Sequence, residues 1–179
     1  MLKMILIGLA AAIVVFVMIV ALRPSAFRIA RSATMAAPPA APFEQVNDFH
    51  NWAGWNPFQK ADPGATLTYS GPSSGPGAGL AWSGNREVGE GRMTITETRP
   101  NELVRIKLEF LKPFAATNVA EFTFEPRGSE TAVTWSMAGE NNFMARGMGL
   151  FMDFDKLIGD QFTKGLADMK GIVESGARS

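Results

Sequence analysis

The chain has 179 residues and no cysteine, and its 17 lysines and arginines balance its 17 aspartates and glutamates. The balanced charge offers no bulk field that would attract nucleic acid, and the missing cysteines exclude disulfides, thiolate nucleophiles and Cys-ligated metals. His50 is the single histidine, and no acidic cluster with loop-like spacing accompanies it, so we expect neither a metal nor another cofactor.

The first segment of the chain predicts a membrane-spanning helix. Met4–Leu22 contains no charged or polar side chain, and as a helix it would measure about 28 Å, close to the hydrocarbon thickness of a bilayer. A cleaved signal peptide is the alternative, but its apolar run is usually shorter, and this run meets Arg23 and Pro24 directly. We therefore expect residues 1–23 to form an anchor and residues 24–179 to form one domain.

The charges that flank the anchor favour a cytoplasmic domain in a single-pass protein of the cell membrane. Lys3 and the α-amine precede the apolar run, whereas Arg23, Arg28 and Arg31 follow it. The positive-inside rule puts the side richer in Lys and Arg in the cytoplasm. Arg28 and Arg31 also fit the first strand of the domain, which weakens the count.

The region after the anchor predicts a strand and two short helical segments. Phe27–Thr34 alternates moderately between apolar and polar side chains and predicts the strand. Pro38-Pro39 suits the first turn of a helix that runs to about Phe49. Residues 50–58 predict a short helix or turn, which ends at Pro57.

The middle of the chain predicts an antiparallel sheet with one wet face. Apolar and polar side chains alternate along several segments joined by short turns, which is typical of such a sheet. The predicted strands are Thr66–Tyr69, Leu80–Ser83, Arg86–Thr98, Leu103–Phe110, Thr117–Glu125 and Thr131–Met137. The Gly-, Pro- and Ser-rich loop at 71–79 has no apolar anchor, so we expect it to be mobile.

The last part of the chain predicts one long helix that begins at Asn141 or Asn142, either of which is a plausible cap. Its apolar residues recur at helical spacing and form a stripe. They are Met144, Met148, Phe151, Phe154, Ile158, Phe162, Met169 and Val173. The stripe needs an apolar partner, and the inner face of the sheet is the only surface of the right size. Gly147, Gly149 and Asp153 suggest a break in the first turns.

With this order of elements the chain resembles the SRPBCC superfamily, the START and Bet v 1-like group that includes polyketide cyclase/dehydrase-type proteins. The segments that carry the resemblance are Ala37–Pro39, Trp52–Pro57, Gly77–Trp82, Gly89–Ile95 and Thr131–Trp135. The resemblance implies an α+β helix-grip fold, in which a curved antiparallel sheet wraps around a long C-terminal helix. It also implies a hydrophobic cavity between sheet and helix, which the family uses for lipids, sterols and polyketides. Catalytic residues are not shared across the family, so none is carried over.

The candidate ligand-binding residues are the large apolar side chains expected to line that cavity. They are Trp55, Trp82, Phe110, Phe122, Trp135, Met137, Met144, Met148 and Phe151. Aromatic walls with a few polar groups are usual in ligand cavities, although tryptophans more often fill a core. The stripe of Met144, Met148 and Met152 could face the core, a ligand or the bilayer, because methionine adapts to irregular partners.

Catalytic candidates are weak. The His50 imidazole could act as a general base, and Tyr69, the only tyrosine, could donate a proton to a ketone or enol. No G-x-S-x-G elbow or phosphate-binding loop is present. We therefore predict a membrane-anchored binding domain for a hydrophobic or amphipathic small molecule, lipid- or polyketide-like. The alternatives are a cyclase- or dehydratase-like enzyme that uses the same cavity, and a tethered interaction or stress-related protein whose cavity is filled by its own side chains.

Overall fold

The computed structural model describes residues 2–176, and within them seven strands form one open antiparallel sheet. The strands are β1 (Ala26–Met35), β2 (Thr66–Ser70), β3 (Gly79–Ser83), β4 (Glu90–Arg99), β5 (Leu103–Lys112), β6 (Ala116–Arg127) and β7 (Glu130–Glu140). Their order across the sheet is β1-β7-β6-β5-β4-β3-β2. Strands β2 to β7 therefore follow one another as a meander, and β1 joins the free edge of β7.

Helices precede, interrupt and follow the strands. They are α1 (Leu2–Leu22), α2 (Ala40–Asn47), a 3-10 helix (Phe49–Gly54), α3 (Pro57–Ala61), α4 (Phe143–Met148) and α5 (Phe154–Gly176). Asn56 caps α3 by accepting a hydrogen bond from the backbone N–H of Phe58, and Asn142 caps α4 in the same way. The other predicted helices and strands are confirmed with small shifts at most ends, but Pro57, predicted to end a short helix or turn, instead begins α3, which was not predicted.

Two predictions in the sheet region differ from the structure. The strand predicted from Arg86 begins only at Glu90, because residues 84–89 form a turn in which the N–H of Gly84 donates to the carbonyl of Gly89. The loop at 71–79 was expected to have no apolar anchor, but Ala78 is 1% exposed and belongs to the core. Backbone hydrogen bonds also hold the loop. The N–H groups of Gly75 and Gly77 donate to the carbonyls of Asn47 and Ile95, which ties the loop to α2 and β4.

The core lies between one face of the sheet, which we call the inner face, and the helices α2, α3 and α5 together with the 3-10 helix. The ring of Phe162 on α5 stacks on Trp135 of β7, with centroids 4.0 Å apart. Gly165 allows this close approach, since a Cβ at that position would lie 2.9 Å from both Trp135 and Pro57. A sheet that packs its inner face on a long C-terminal helix is the helix-grip arrangement, so the predicted fold class is confirmed.

The predicted break in the C-terminal helix is also confirmed, because α4 ends at Met148 and α5 begins at Phe154. The expectation that the whole apolar stripe lies on the sheet is wrong for its first part. Met169 and Val173 are buried in the core, whereas Met144 is 59% and Phe151 is 82% exposed. The break is the physical reason, since it lets α4 leave the sheet and pack against α1.

The strand register defines two ends of the domain. β1 starts directly after α1, and its first residue, Ala26, pairs with Glu140 at the end of β7. Through the neighbouring pairs, the same end carries the turns at 84–89 and 113–115. We call this the proximal end, because it adjoins α1. The opposite, distal end carries the loop at 71–78.

Candidate functional site

Five aromatic side chains fill the centre of the inner face. This aromatic cluster consists of Trp52, Trp55, Phe122, Trp135 and Phe162, all of them buried. Trp55 contacts Phe122 and Trp135 edge-on, with ring centroids 5.9 and 5.6 Å apart. Trp55, Phe122 and Trp135 were predicted to bind a ligand. The structure brings them together, and here they contact one another.

The tryptophans on the 3-10 helix and beside it also use their polar atoms inside the protein. The indole N–H of Trp52 donates to the carbonyl of Val46 at 3.0 Å, and that of Trp55 donates to the carbonyl of Gln45 at 3.2 Å. Both acceptors lie on α2, so these hydrogen bonds hold the 3-10 helix region against α2. The aromatic cluster is therefore part of the packed core, and a ligand would bind beside it.

The inner face is less completely covered towards the proximal end. The paired positions Trp82, Gly91 and Phe110 form a row across β3, β4 and β5. Trp82, Phe110 and the nearby Leu108 are only half-buried. The physical reason is the position of α5, which packs mainly on β1 at the other edge of the sheet. This part of the inner face therefore leaves apolar side chains partly accessible.

Trp82 has a defined orientation in this row. Its indole N–H donates to the carbonyl of Val88 at 3.2 Å, and its ring meets Phe110 edge-on at 5.9 Å. Gly91 makes room for the ring, because a Cβ there would overlap both the Trp82 indole and the carbonyl oxygen of Glu109. Two predicted ligand-binding residues, Trp82 and Phe110, thus form a preoriented aromatic wall.

Asn118 adds a polar group to this apolar surface. It is 7% exposed and lies on the inner face of β6, paired with Leu108 and Gly139. Its Nδ2 lies 3.8 Å from the sulfur of Met137, another predicted ligand-binding residue. Its Oδ1 is buried and has no hydrogen-bond partner among the described residues. Leaving such an acceptor unpaired costs about 1–3 kcal/mol, so a donor supplied by a ligand would be stabilising.

Sequence reasoning missed Asn118. The signal that would have found it is its parity on β6, where Asn118 takes the inward position that Ala120, Phe122 and Phe124 also take. A polar residue in a row of inward apolar ones needs a partner, and this one has only a thioether. The remaining predicted residues, Met144, Met148 and Phe151, are exposed and lie outside the inner face.

A second, smaller site joins the two weak catalytic candidates at the distal end. His50 and Tyr69 stack with ring centroids 4.1 Å apart and an interplanar angle of 14°. They line a pocket of about 260 Å³ together with Phe49 and residues of the 70–79 loop. The Oδ1 of Asp48 lies 2.7 Å from Nδ1 of His50 and also accepts the backbone N–H of that residue. A carboxylate in this position orients the imidazole and leaves its other nitrogen available for proton transfer.

An open groove of about 680 Å³ lies between the two proximal turns. Its lining includes Asn85, Arg86, Glu90 and Lys112. The Nζ of Lys112 donates to Oε1 of Glu90 at 3.0 Å, which links the end of β5 to the start of β4. The groove adjoins the row of Trp82 and Phe110 along the chain, because Glu90 directly precedes Gly91.

Comparison with protein families finds one match that spans the domain. The family described as polyketide cyclase/dehydrase and lipid transport matches residues 26–174. No curated protein matches the chain.

Solved structures of low sequence identity share the fold. A protein of unknown function from Staphylococcus aureus has a TM-score of 0.64 at 9% identity, covering 88% of this chain and 99% of its own. Major latex-like protein 151 from Panax ginseng has a TM-score of 0.60 at 14% identity, with 83% and 98% covered. Aha1 from Colwellia psychrerythraea has a TM-score of 0.59 at 16% identity, with 83% and 96% covered.

Proposed function

Because the chain belongs to the polyketide cyclase/dehydrase and lipid transport family, we propose that it is a membrane-anchored domain that binds a hydrophobic or amphipathic small molecule. The family match begins at residue 26, directly after α1. This boundary supports a division into an anchor of residues 1–23 and a binding domain of residues 24–179.

The exposure of α1 supports its role as the anchor. The segment Lys3–Leu22 is long and apolar enough to cross a bilayer, and almost none of it is buried against the rest of the protein. A core helix of a soluble protein would instead hide its apolar side chains. The alternative is that α1 is a cleaved signal peptide. The mass of the protein isolated from membranes distinguishes these two possibilities.

The charges around α1 support a cytoplasmic domain. Arg23 and Arg146 both lie at its C-terminal end, where they bond to backbone carbonyls, whereas Lys3 lies at the other end. Arg31 does not belong in this count, because its guanidinium pairs with Asp155 at 2.8 Å within the domain. The remaining arginines still favour the cytoplasmic side for the domain.

The ligand site that the geometry supports best is the proximal part of the inner face. The single observation that carries it is the buried, unpaired Oδ1 of Asn118 on the inner face of β6. This oxygen lies over Gly139, the Nδ2 of the same side chain lies 3.8 Å from the sulfur of Met137, and Leu108 is the paired residue on β5. Ligand sites commonly combine an apolar lining with a few polar groups that orient the ligand. The matching ligand has an apolar body that packs on Trp82 and Phe110 and one hydroxyl or amide donor for Asn118.

The test compares the full-length protein with Asn118→Leu, isolated from membranes and examined by native mass spectrometry with lipid analysis. We expect the wild-type protein to carry an apolar ligand and Asn118→Leu to bind it about tenfold more weakly, since one hydrogen bond contributes on the order of 1 kcal/mol. Without ligand, Asn118→Leu should be at least as stable as wild type, because it removes an unpaired buried acceptor.

Thr117→Leu is the matched control, because Thr117 is exposed on the same strand and faces away from the inner face. This variant should bind as wild type does. Equal binding by wild type and Asn118→Leu would place the ligand elsewhere. A wild-type protein without co-purified ligand, and without a thermal shift in a lipid and polyketide panel, would contradict the proposal. That result would favour a tethered interaction protein filled by its own side chains.

A second candidate function is proton-transfer catalysis in the distal pocket, and the Asp48–His50 contact favours it. If the protein turns over a ketone or enol substrate there, His50→Ala should abolish turnover, and Tyr69→Phe should reduce it severely. Both side chains are substantially exposed, so both variants should keep wild-type stability. Full turnover in either variant would remove that residue from the mechanism, and full turnover in both would exclude this site.

A further inference from the structure

We propose that residues 143–152, which we call the interfacial segment, form a second membrane contact that inserts apolar side chains into the lipid surface beside α1. The inference rests on the proposed membrane anchorage and adds a second point of attachment to it. It commits to lipid as the partner of this segment. A second copy of the chain is the competing occupant.

The interfacial segment exposes large apolar side chains in a short stretch. Its exposed residues are Phe143, Met144, Met148, Phe151 and Met152. Phe151 is 82% exposed. Such exposure is unusual for a phenylalanine in a protein that contacts only water. Contiguous apolar surface of this kind marks a protein or membrane contact.

The contact between α4 and α1 sets the depth of the segment. Gly147 faces α1, and a Cβ there would lie 3.8 Å from Val20 and 3.9 Å from Phe16. Val20 and Phe16 precede Leu22 by two and six residues, so this contact lies about 3–9 Å below the C-terminal end of α1. An interfacial helix buries its apolar face about 5–10 Å into the boundary between headgroups and acyl chains. If α1 spans the membrane, α4 therefore lies at the depth of an interfacial helix.

Two arginines hold the segment in this position. Nη1 of Arg146 donates to the carbonyls of Ala21 and Arg23 at 3.2 and 3.1 Å, and Nη1 of Arg23 donates to the carbonyl of Gly149 at 2.8 Å. The carbonyls at the end of α1 have no partner within the helix, so Arg146 satisfies acceptors that would otherwise be unpaired near lipid. Guanidinium groups at this level can also reach lipid headgroups.

A second exposed apolar group lies at the same end of the domain. Leu111 near the end of β5 and Phe114 in the turn between β5 and β6 are exposed, and the register places this turn at the proximal end. With the interfacial segment, they give the domain two apolar points that face the bilayer. The row of Trp82 and Phe110 then lies on the membrane side of the domain, where an apolar ligand could enter from lipid without crossing water.

The test measures depth with single nitroxide labels, for which the chain is suited because it has no cysteine. Phe151→Cys, Val14→Cys and Glu130→Cys are labelled in the full-length protein in nanodiscs of phosphatidylcholine and phosphatidylglycerol. Electron paramagnetic resonance then gives the accessibility of each label to oxygen and to a water-soluble nickel chelate. We expect the label at 151 to be interfacial, the label at 14 to be deep in lipid, and the label at 130, on the distal turn, to be in water.

The three labels separate this inference from the anchorage on which it rests. A label at 151 in water, with the label at 14 in lipid, would overturn the second contact and leave the anchor intact. Labels at 14 and 151 both in water would remove the anchor and the second contact together. A label at 151 shielded from both reagents would indicate protein contact, such as a second copy, and would overturn the lipid assignment.

Arg146→Gln in the Phe151→Cys background tests the hydrogen bonds that hold the segment. We expect the label at 151 to become more accessible to nickel and less to oxygen, moving towards the values at 130. Arg28→Gln is the matched control, since it removes one positive charge from exposed surface near the same end and should leave the label unchanged. Equal values in Arg146→Gln and the parent protein would refute the role of Arg146.

Discussion

Glu109 and Asn118 lie on neighbouring strands but on opposite faces of the sheet, and their surroundings differ accordingly. Glu109 faces outward and accepts hydrogen bonds from Nε and Nη2 of Arg92 at 2.8 and 3.0 Å, with Nζ of Lys107 at 2.9 Å. The hydrogen bonds from Arg92, followed by that from Lys107, lower the pKa of Glu109 from its ordinary value of 4.5 to about 2. Asn118 faces inward and has no such partners. The polar side chain on the outer face therefore has hydrogen-bond donors for its oxygens, whereas the oxygen of the one on the inner face has none in the described part of the chain.

Glu109 should make the fold sensitive to acid. Because its pKa is lower in the folded chain, its ionised form stabilises the fold above pH 4.5, and this stabilisation is lost as pH falls from about 4.5 to about 2. Glu109→Gln should therefore lower the free energy of unfolding at pH 7 and flatten its pH dependence in that window. Denaturation of the full-length protein in detergent at several pH values measures both effects. Glu130→Gln, on the exposed distal turn, should match wild type, and an unchanged acid profile in Glu109→Gln would contradict the assignment.

At the scale of elements, α5 shows how two glycines in one helix have different roles. Gly165 is buried and faces Trp135 and Pro57, so its missing side chain sets the distance between helix and sheet. Gly171 lies on the exposed side of the same helix, and a Cβ there would meet no atom within 4 Å. Both glycines cost helix propensity, but only Gly165 compensates that cost by close packing.

These two glycines make a matched pair of substitutions. Gly171→Ala should raise the free energy of unfolding by about 0.5–1 kcal/mol, because alanine favours the helix and meets no obstacle. Gly165→Ala should lower it by about 1–3 kcal/mol, since the added methyl group overpacks the contact with Trp135. Chemical denaturation of the full-length protein in detergent measures both. An equal gain in the two variants would show that the contact between α5 and the aromatic cluster is looser than described.

The break between α4 and α5 has a larger consequence than either glycine. It divides one apolar stripe between two partners, the sheet for Phe162, Met169 and Val173 and the end of α1 for the α4 region. The sequence signals for the break, Gly147, Gly149 and Asp153, predicted its place. They could not predict where α4 would turn, because that depends on Arg146 reaching carbonyls more than a hundred residues earlier in the chain.

At the scale of the whole molecule, the domain has two chemically distinct ends. The proximal end joins α1, the interfacial segment, the exposed side chains of Leu111 and Phe114 and the half-buried row of Trp82 and Phe110. The distal end carries the loop at 71–78 and the His50–Tyr69 pocket. The proposed apolar ligand site would lie at the end next to the anchor, and the pocket with the titratable His50 would lie away from it. This arrangement would suit a domain that receives its ligand from the bilayer.

The sequence by itself determined the local features of this protein. Three of them were predictable because they depend on neighbouring residues only. They are the period-two alternation over Leu103–Phe110, the cap near Asn142 and the uncharged run Met4–Leu22. The order of these elements was enough to identify the helix-grip fold and the family, which the structure and the comparisons confirm.

Only the tertiary structure decided which apolar residues fill the core and which remain available. Trp55 and Trp82 look alike in sequence, yet one is enclosed by the aromatic cluster and the other is half-buried at the uncovered end of the sheet. The stacking of His50 on Tyr69 and the contact of α4 with α1 each join residues that are separated in the chain. That the oxygen of Asn118 has no partner within residues 2–176 also depends on which residues the fold places around it. Such pairings follow from the strand register and the packing of helices on the sheet, which local patterns of hydrophobicity do not encode.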